Sequence, residues 1–453
     1  MSRLAIRSVA VTVVLAWSGA LRAQSPLDPA LATYIAKIHA IDNHAHPMRP
    51  IPAGAAADTE FDALPLDGIP PFPVPWRLRL DNPEWRAAQG ALFDIPNRGS
   101  DSVFRAALHV RRAHELKSRG EGYPSWVLDR AGIDVMLANR IAVGPGLTAP
   151  RFRWVAFDDA LMFPLDTRTE ATRTPDTRSL YPKETALLQR YLRDLGVARL
   201  PATLDEYLTT VLRPTLERQR RNGAVAVKFE IAYLRPLNFA EPNETEARRV
   251  YAQYVAGGAP KESEYRVVED YLFHEIAREA GRLGMAVHIH TLDSFGGFYS
   301  ARGSAPHQLE TVFNDSTLRR TNFVIIHGGW PLFAQTQSML GKPNVYADIS
   351  MMVLAAEQRE LANTLRSWLT AWPEKVLFGT DAFDGGPDQG WEEGAYLGAS
   401  TARRALAMAL TGMMRDGEID RPRAETLARM VLRENALKLY EAGGRWAAAG
   451  DER

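Results

Sequence analysis

The sequence contains no cysteine, and this absence excludes several classes of site. A disulfide scaffold, a zinc or iron–sulfur site held by thiolates, and a thiol nucleophile all require cysteine. Any bound metal ion must therefore be held by histidine, by carboxylate or by a modified lysine. A chain of 453 residues is long enough to form a stable core without disulfides.

The chain also lacks an excess of charge of either sign. It carries 54 basic and 54 acidic residues, so its formal net charge is zero. Proteins that bind nucleic acid usually present a basic surface, and this composition does not supply one. We expect a small-molecule substrate as the partner and no nucleic acid, and homo-oligomerisation stays open.

A short apolar run lies near the N-terminus, from about Val9 to Leu21, and Arg3 and Arg7 precede it. A basic start, an apolar core and a small-residue exit are typical of a secretory signal peptide. The run is shorter than the roughly 20 apolar residues that span a membrane, although an uncleaved anchor is the alternative. We predict a signal peptide over 1–23 and a periplasmic or secreted mature chain, 24–453, without stable membrane insertion.

Seven short apolar runs, and a weaker eighth at Trp154–Phe157, are predicted to be strands. Continuous runs of Val, Ile, Leu and Phe are typical of parallel strands covered on both faces. The seven runs are Ala40–Asn43, Ile133–Ala138, Ala224–Phe229, Met285–Ile289, Phe323–Ile326, Val345–Ile349 and Val376–Phe378.

Helical stretches separate the later strands. Thr203 and Glu206 form a predicted capping box, and strand and helix then alternate from about residue 200 to 415. This alternation predicts an α/β barrel or a doubly wound sheet. The main predicted helices are Glu264–Leu283, Pro306–Arg319, Val353–Trp368 and a closing helix, Ala424–Ala442.

Long irregular stretches lie in the first half of the chain. Residues 47–77 contain eight prolines, which exclude a regular helix there. Two helices are predicted after it, around Asn82–Leu92 and Ser102–Lys117. We predict a single domain with insertions at about 47–125 and 141–185, which would cap the catalytic face of a barrel.

Histidines mark the ends of several predicted strands. His44 and His46 are two residues apart, so both side chains can point to the same side of a strand. Two such imidazoles can bind one zinc-like ion. A pair of surface histidines on an edge strand would give the same pattern, so the motif alone is weak.

Three further strand ends strengthen this interpretation. His288 and His290 end one strand, His327 follows another, and Asp381 follows a third within Gly-Thr-Asp. Separate strands that each deliver a ligand at the carboxyl end are typical of barrel enzymes. Imidazoles with a carboxylate suit zinc, manganese, iron or nickel, and the sequence does not choose among them.

Together these motifs resemble the amidohydrolase superfamily, a group of metal-dependent (β/α)8 barrel enzymes. The chain is most similar to the amidohydrolase-related branch, which includes hydrolases and decarboxylases. Further matching stretches begin at Lys228 with Lys-Phe-Glu, at His327 with His-Gly-Gly-Trp-Pro, and at Asn344 with Asn-Val-Tyr-Ala-Asp. The resemblance implies a TIM-type barrel with long loop insertions.

The resemblance also implies roles for individual residues. His44, His46 and His290 would be metal ligands, and His288 is better interpreted as a packed histidine. His327 would bind a second metal ion or polarise the substrate. Asp381 would bind metal and act as the catalytic base.

Lys228 leaves the number of metal ions open. In part of the superfamily a lysine at this strand end is carboxylated and bridges two ions, whereas the decarboxylase-like branch generally lacks it. The alternative is an ion pair between Lys228 and a carboxylate such as Glu230 or Asp381. We expect one or two divalent ions, with zinc the leading candidate.

The predicted function is hydrolysis of a C–N or C–O bond in a small carbonyl substrate. A Lewis-acidic metal lowers the pKa of its bound water to about 7 and so provides a nucleophile. Arg235 is a candidate for holding a substrate carboxylate, and Tyr233 and Trp330 are candidates for the pocket wall. The alternatives are a metal-dependent decarboxylase and a non-catalytic periplasmic binding protein.

Overall fold

The computed structural model describes residues 27–52, 54–66, 69–291 and 300–441. The predicted signal peptide over 1–23 lies outside these residues. Within the described part of the chain, no helix is both long enough and apolar enough to cross a membrane.

Eight parallel strands form one sheet, and neighbouring strands in the sheet are also neighbours along the chain. Their residues are almost all buried, as expected for strands covered on both faces. They are β1 (Ala40–Ala45), β2 (Ile133–Asn139), β3 (Phe152–Phe157), β4 (Ala224–Phe229), β5 (Ala286–His290), β6 (Phe323–Ile326), β7 (Val345–Asp348) and β8 (Val376–Leu377).

Hydrogen bonds also join the first strand to the chain that follows the last one. Asn43 N donates to Phe378 O at 2.8 Å, and Asp381 N donates to His44 O at 2.7 Å. The sheet is therefore a nearly closed barrel with helices between its strands. This confirms the predicted (β/α)8 fold, including the weakest predicted strand, which begins two residues earlier, at Phe152.

Seventeen α-helices lie in the described residues. They are α1 (Pro29–Ala36), α2 (Pro83–Phe93), α3 (Asp101–Arg119), α4 (Tyr123–Ala131), α5 (Arg168–Arg173), α6 (Tyr181–Asp194), α7 (Leu204–Tyr207), α8 (Arg213–Arg221), α9 (Glu244–Tyr254), α10 (Glu262–Arg282), α11 (Glu310–Asn314), α12 (Phe333–Met339), α13 (Met352–Ala355), α14 (Gln358–Ala371), α15 (Trp391–Arg415), α16 (Arg421–Arg429) and α17 (Asn435–Glu441).

Long connections separate the strands in the first half of the chain. Helices α2, α3 and α4 lie between β1 and β2, after the proline-rich stretch. Strand β3 lies inside the second predicted insertion, 141–185, and so divides it into two irregular parts. The long connections of the first half of the chain therefore follow β1, β2 and β3.

Two helices predicted as continuous are interrupted by side-chain caps. In the stretch 306–319, the Asp315 carboxylate accepts a hydrogen bond from Thr317 N at 2.7 Å and starts a new turn. In the stretch 353–368, the Glu357 carboxylate accepts from Arg359 N at 2.9 Å and from Glu360 N at 3.0 Å. Each cap satisfies backbone N–H groups at the start of a new helical segment. The helix is therefore interrupted where the apolar pattern alone predicts a continuous helix.

The C-terminal helix closes the barrel by packing against its strands. Ala436, Leu439 and Tyr440 of α17 are buried in one cluster with apolar side chains from the strands. The predicted closing helix is in fact α16 and α17, joined by one turn of π-helix over Met430–Glu434.

Candidate metal centre

A cavity of about 490 Å³ opens at the carboxyl ends of the strands. Side chains from five of these ends reach it, as expected for the functional face of a barrel. These side chains are His46 after β1, Lys228 in β4, His290 in β5, His327 after β6 and Asp381 after β8.

Asp381 lies at the centre of the histidine group. Its Oδ1 is 3.1 Å from His44 Nε2 and 3.6 Å from His46 Nε2, and its Oδ2 is 3.7 Å from His327 Nδ1. One donor atom from each of His44, His46 and Asp381 lies within 4.8 Å of the other two. Two imidazoles and a carboxylate at this spacing suit a single divalent ion.

The histidines are poised as metal ligands because they are neutral. Burial lowers the pKa of His44, His290 and His327 well below the usual value, and the charge of Lys228 acts in the same direction. A neutral imidazole keeps a lone pair for a metal ion. The Nδ1 atom of His44 is buried without a hydrogen-bond partner. The residues present therefore fit a divalent metal.

The Gly-Thr-Asp motif fixes Asp381 by holding its neighbour. Thr380 N donates to Asp42 Oδ1 at 2.9 Å, and Thr380 Oγ1 donates to Asp42 Oδ2 at 2.6 Å. These bonds tie the chain after β8 to β1, while Asp381 itself adopts a φ of 56°. A positive φ is costly for a residue with a side chain, so the surrounding contacts must impose it.

The His-Gly-Gly motif has a comparable steric reason. His327 has a φ of 66°, and the next residue, Gly328, has a φ of 56°. A Cβ atom on Gly328 would lie 2.7 Å from both Met352 Sδ and Trp368 Cη2. The tight turn after β6 therefore requires glycine at this position.

A buried network behind His327 sets its orientation. Asp348 at the end of β7 accepts from His327 N at 2.8 Å and from Ser350 Oγ at 2.6 Å. Ser350 Oγ is 2.9 Å from His327 Nδ1. Ser350 Oγ donates its proton to Asp348, so toward His327 it can only accept. The hydrogen of the His327 ring is therefore on Nδ1, and Nε2 carries the lone pair.

We expect Asp348→Ala to lower the free energy of unfolding by about 2–4 kcal/mol, because four buried donors lose an acceptor at once. These donors are His327 N, Ser350 Oγ, Ser350 N at 3.2 Å and Asn43 Nδ2 at 2.8 Å. Urea denaturation measures the change. Asp129→Ala, which removes an exposed carboxylate beside Arg151, is the control and should change little. Equal effects of the two substitutions would contradict the role of Asp348.

Lys228 lies between the histidines and a carboxylate. It is fully buried, and its Nζ is 3.4 Å from His44 Nε2 and 3.5 Å from Glu230 Oε1. The ion pair with Glu230 is one of the two alternatives that the sequence left open. Carboxylation of Lys228 stays a prediction.

His288 lies apart from the cavity. Its Nε2 is 2.7 Å from the Tyr440 hydroxyl, which in turn donates to Asn43 Oδ1. The residue is fully buried and does not line the cavity. This position agrees with its interpretation as a packed histidine.

The three candidate substrate-binding residues occupy different environments. Tyr233 lines the cavity, and its ring centroid is 4.6 Å from that of His290. Trp330 is half-buried against the hydrophobic core and is not part of the described cavity wall. Arg235 is also outside that wall. Its Nη1 is 2.9 Å from the Glu269 carboxylate and 2.8 Å from the Asp270 carboxylate. The position of Arg235 therefore does not support the proposed contact with a substrate carboxylate.

We expect Arg235→Met to lower the free energy of unfolding by about 3–5 kcal/mol, because it leaves buried carboxylates without their partner. The side chains of Arg235 and Glu269 are each only 1% exposed. Urea denaturation measures the change, and Arg168→Met is the control, since Arg168 is exposed in its pair with Asp166. A raised KM with unchanged stability would instead show that Arg235 binds substrate.

Two acidic residues at the site were missed as candidates from the sequence. Asp62 Oδ2 is 3.3 Å from His46 Nδ1, and with Glu230 it completes a second possible donor group around His46. Asp62 belongs to the proline-rich stretch, where no periodic pattern distinguishes one carboxylate from another. Glu230 had a usable signal, because it lies two residues after Lys228 at a strand end.

Comparisons with known proteins indicate the family to which the chain belongs. The model of the amidohydrolase family matches residues 196–442, more than half of the chain. No curated protein matches the chain in sequence. Among solved structures, a protein from Lactobacillus casei described as a metal-dependent hydrolase is 14% identical, with a TM-score of 0.56 over 92% of this chain and 99% of that one.

Two solved isomerases share the fold as well. The uronate isomerase of Thermotoga maritima is 13% identical, with a TM-score of 0.58 over 92% of this chain and 98% of its own. The glucuronate isomerase of Caulobacter crescentus is 13% identical, with a TM-score of 0.55 over 92% and 95% of the two chains. At these identities the likeness shows the fold alone, and the scaffold evidently carries more than one chemistry. The family match and the histidine–aspartate donor group together show that this chain belongs to the amidohydrolase family and has a site for a divalent metal ion.

Proposed function

We propose that the protein is an exported, metal-dependent hydrolase that cleaves a C–N or C–O bond in a small carbonyl substrate. The observation that carries this proposal is the position of Asp381, whose two oxygens face three histidines at the wall of a cavity. A site that only binds a ligand has no need of a base among its metal donors. The family match supports the metal-dependent class of enzyme.

His44, His46 and Asp381 would hold the ion, with His290 as a further ligand. When bound, a divalent ion supplies Lewis acidity, which activates water and polarises a carbonyl group. Asp381 accepts a proton from the attacking water and returns it to the leaving group. Burial raises the pKa of Asp381 to about 6 in the metal-free protein.

The hydrogen bonds around His327 favour one of its two expected roles. Its Nδ1–H is given to Ser350, so its Nε2 carries a lone pair rather than a proton. A lone pair can bind a metal ion but cannot donate to a developing oxyanion. We therefore assign His327 as a metal ligand through Nε2, which lies 3.2 Å from His290 Nδ1, and not through Nδ1, the nitrogen that faces Asp381.

Product analysis tests the proposed reaction. The purified protein, loaded with zinc or manganese, is incubated with a panel of small amides and esters. Hydrolysis releases an acid together with an amine or alcohol, and a chelator should abolish it. Release of carbon dioxide from an acidic substrate would instead support a decarboxylase. Metal content well below one ion per chain after loading would contradict both.

We expect the exported protein to be cleaved near Ala20–Gln24, because a basic start precedes a short apolar run. N-terminal sequencing of protein from the extracytoplasmic fraction measures the site. The control is a variant in which both Arg3 and Arg7 are replaced by Glu, and its export should be reduced. An intact Met1 on membrane-bound protein would contradict cleavage and support an anchor.

A further inference from the structure

Carboxyl groups outnumber cations beside the cavity. Four of them act electrostatically on a fifth, Glu184, and the ammonium group of Lys228 acts on Asp159 and Glu230. Charged carboxylates at this density are unfavourable unless protons or a further cation neutralise them. The five are Asp62, Asp158, Asp159, Glu184 and Glu230.

Two of these groups lie at the cavity wall. Asp62 and Glu230 both line the cavity, so a ligand there can reach them. Asp62 contacts His46 Nδ1 at 3.3 Å, and one oxygen of Glu230 contacts Lys228 Nζ at 3.5 Å. The other oxygen of Glu230, Oε2, is buried with no donor directed at it, and burial together with the charge of Asp62 raises the pKa of Glu230 well above its usual value.

Glu184 of α6 lies behind them and also lacks a positively charged partner in the described structure. It is 1% exposed, and neither of its carboxylate oxygens has a hydrogen-bond partner. Burial, and then the charges of Asp159, Glu230 and Asp62, raise the pKa of Glu184 well above its usual value. Without a further cation Glu184 therefore holds its proton, whereas a cation bound nearby would favour its ionised form.

The remainder of the cavity wall is largely apolar. Nine of its side chains are Phe, Leu, Pro, Val or Met, and most of them come from the stretch 61–78. In the described wall no arginine is present, and Lys228 is the one lysine beside three histidines. The wall therefore suits an apolar ligand and offers little to an anionic one.

An organic ammonium group fits the cluster better than a second metal ion. A metal held by His46, Asp62 and Glu230 would need His46 Nδ1, yet His46 Nε2 already faces Asp381 at 3.6 Å. One imidazole ring can serve two ions only after losing both ring protons. An ammonium group has three N–H donors and needs only carboxylate acceptors, which Asp62 and Glu230 provide.

We propose that Asp62 and Glu230, supported by Glu184, bind the protonated amino group of the substrate. The inference rests on the proposed hydrolase function and deepens it. Only the width of the His46 ring separates Asp62 from Asp381, because the two carboxylates contact opposite nitrogens of that ring. The amino group therefore lies close to the reacting carbonyl. The substrates are amides or esters of apolar α- or β-amino acids with a free amino group.

The amino group is bound and not consumed in this reaction. Water adds to the carbonyl carbon, the C–N or C–O bond breaks, and the leaving group takes the proton that Asp381 received. The products are the free amino acid and an amine or alcohol. The ammonium group keeps its proton throughout, so no further reactant is required.

Binding of simple amines tests the subsite without any turnover. The metal-loaded protein is titrated with 2-phenylethylamine, with the neutral 2-phenylethanol and with anionic 3-phenylpropanoate, by calorimetry. We expect the amine to bind about 10-fold or more tightly than the alcohol, the usual worth of a charge-assisted hydrogen bond. Asp62→Asn and Glu184→Gln should each reduce this preference. Asp384→Asn, which removes another carboxylate of the same cavity, should reduce it less.

A matched substrate series separates this proposal from the hydrolase proposal. Phenylalaninamide is compared with N-acetylphenylalaninamide, which is neutral, and with 3-phenylpropanamide, which lacks the amino group. We expect kcat/KM to be at least about 10-fold higher for the free amine, with the difference lost in Glu184→Gln. Equal hydrolysis of all three amides would overturn the ammonium subsite and leave the hydrolase standing. Selective amine binding without hydrolysis of any amide or ester would overturn the hydrolase proposal and leave the ammonium subsite standing.

Metal content provides the last discriminating measurement. Asp62→Asn and Glu184→Gln should retain the same number of ions per chain as the unaltered protein. Loss of one full equivalent of metal in both variants, together with no preference for the amine, would show that the cluster is a second metal site and overturn the proposal.

Discussion

Asp381→Asn is expected to lower turnover by about 100-fold or more, the usual worth of a general base, while metal content changes less. Asparagine keeps the shape of the side chain and one coordinating oxygen but cannot accept a proton. The backbone of Asp381 is fixed by its bond to His44 O and by the bonds of Thr380 to Asp42. The substitution therefore changes the chemistry at this position more than its geometry.

Steady-state kinetics and elemental analysis of the same preparation measure both effects. Asp384→Asn provides the control, because Asp384 also lines the cavity but does not belong to the histidine–aspartate donor group. It should retain most of the turnover. Near-normal turnover in metal-bound Asp381→Asn would mean that Asp381 has only a structural role, and another base would have to be sought.

His44→Ala is expected to lower metal occupancy itself, to well under one ion per chain. His44 is fully buried, and its Nε2 lies in the group of three donor atoms that can surround an ion. With one of the three donors removed, too few protein ligands remain to hold a divalent ion tightly. Turnover should fall with the loss of metal, so this variant and Asp381→Asn fail for different reasons.

His288→Gln is the matched control for this substitution. His288 is also a buried histidine of the barrel, but it contacts Tyr440 rather than the cavity, and glutamine can still bond to that hydroxyl. Metal occupancy should remain near that of the unaltered protein. Loss of metal in His288→Gln, with retention in His44→Ala, would reverse the assignment of the two histidines.

The sequence was sufficient for the strands because their signal is local. A parallel strand covered on both faces needs a continuous apolar run, and such a run is visible without knowledge of its neighbours. The same locality explains the histidines, since His44 and His46 are related by the two-residue period of a strand. Helix continuity was less predictable, because the caps formed by Asp315 and Glu357 compete with the helical pattern.

By itself, then, the sequence predicted the barrel and the histidine and aspartate donors, and it excluded thiol chemistry. Only the tertiary structure decided which charges meet. Arg235 forms ion pairs with Glu269 and Asp270 of α10, so its charge is neutralised within the protein. Asp62, Glu184 and Glu230 come from the first long connection, from α6 and from the end of β4, and no sequence period links them. Electrostatic partners are set by distance in space, and for residues 34 or more positions apart, as all of these are, that distance is decided by how the barrel closes.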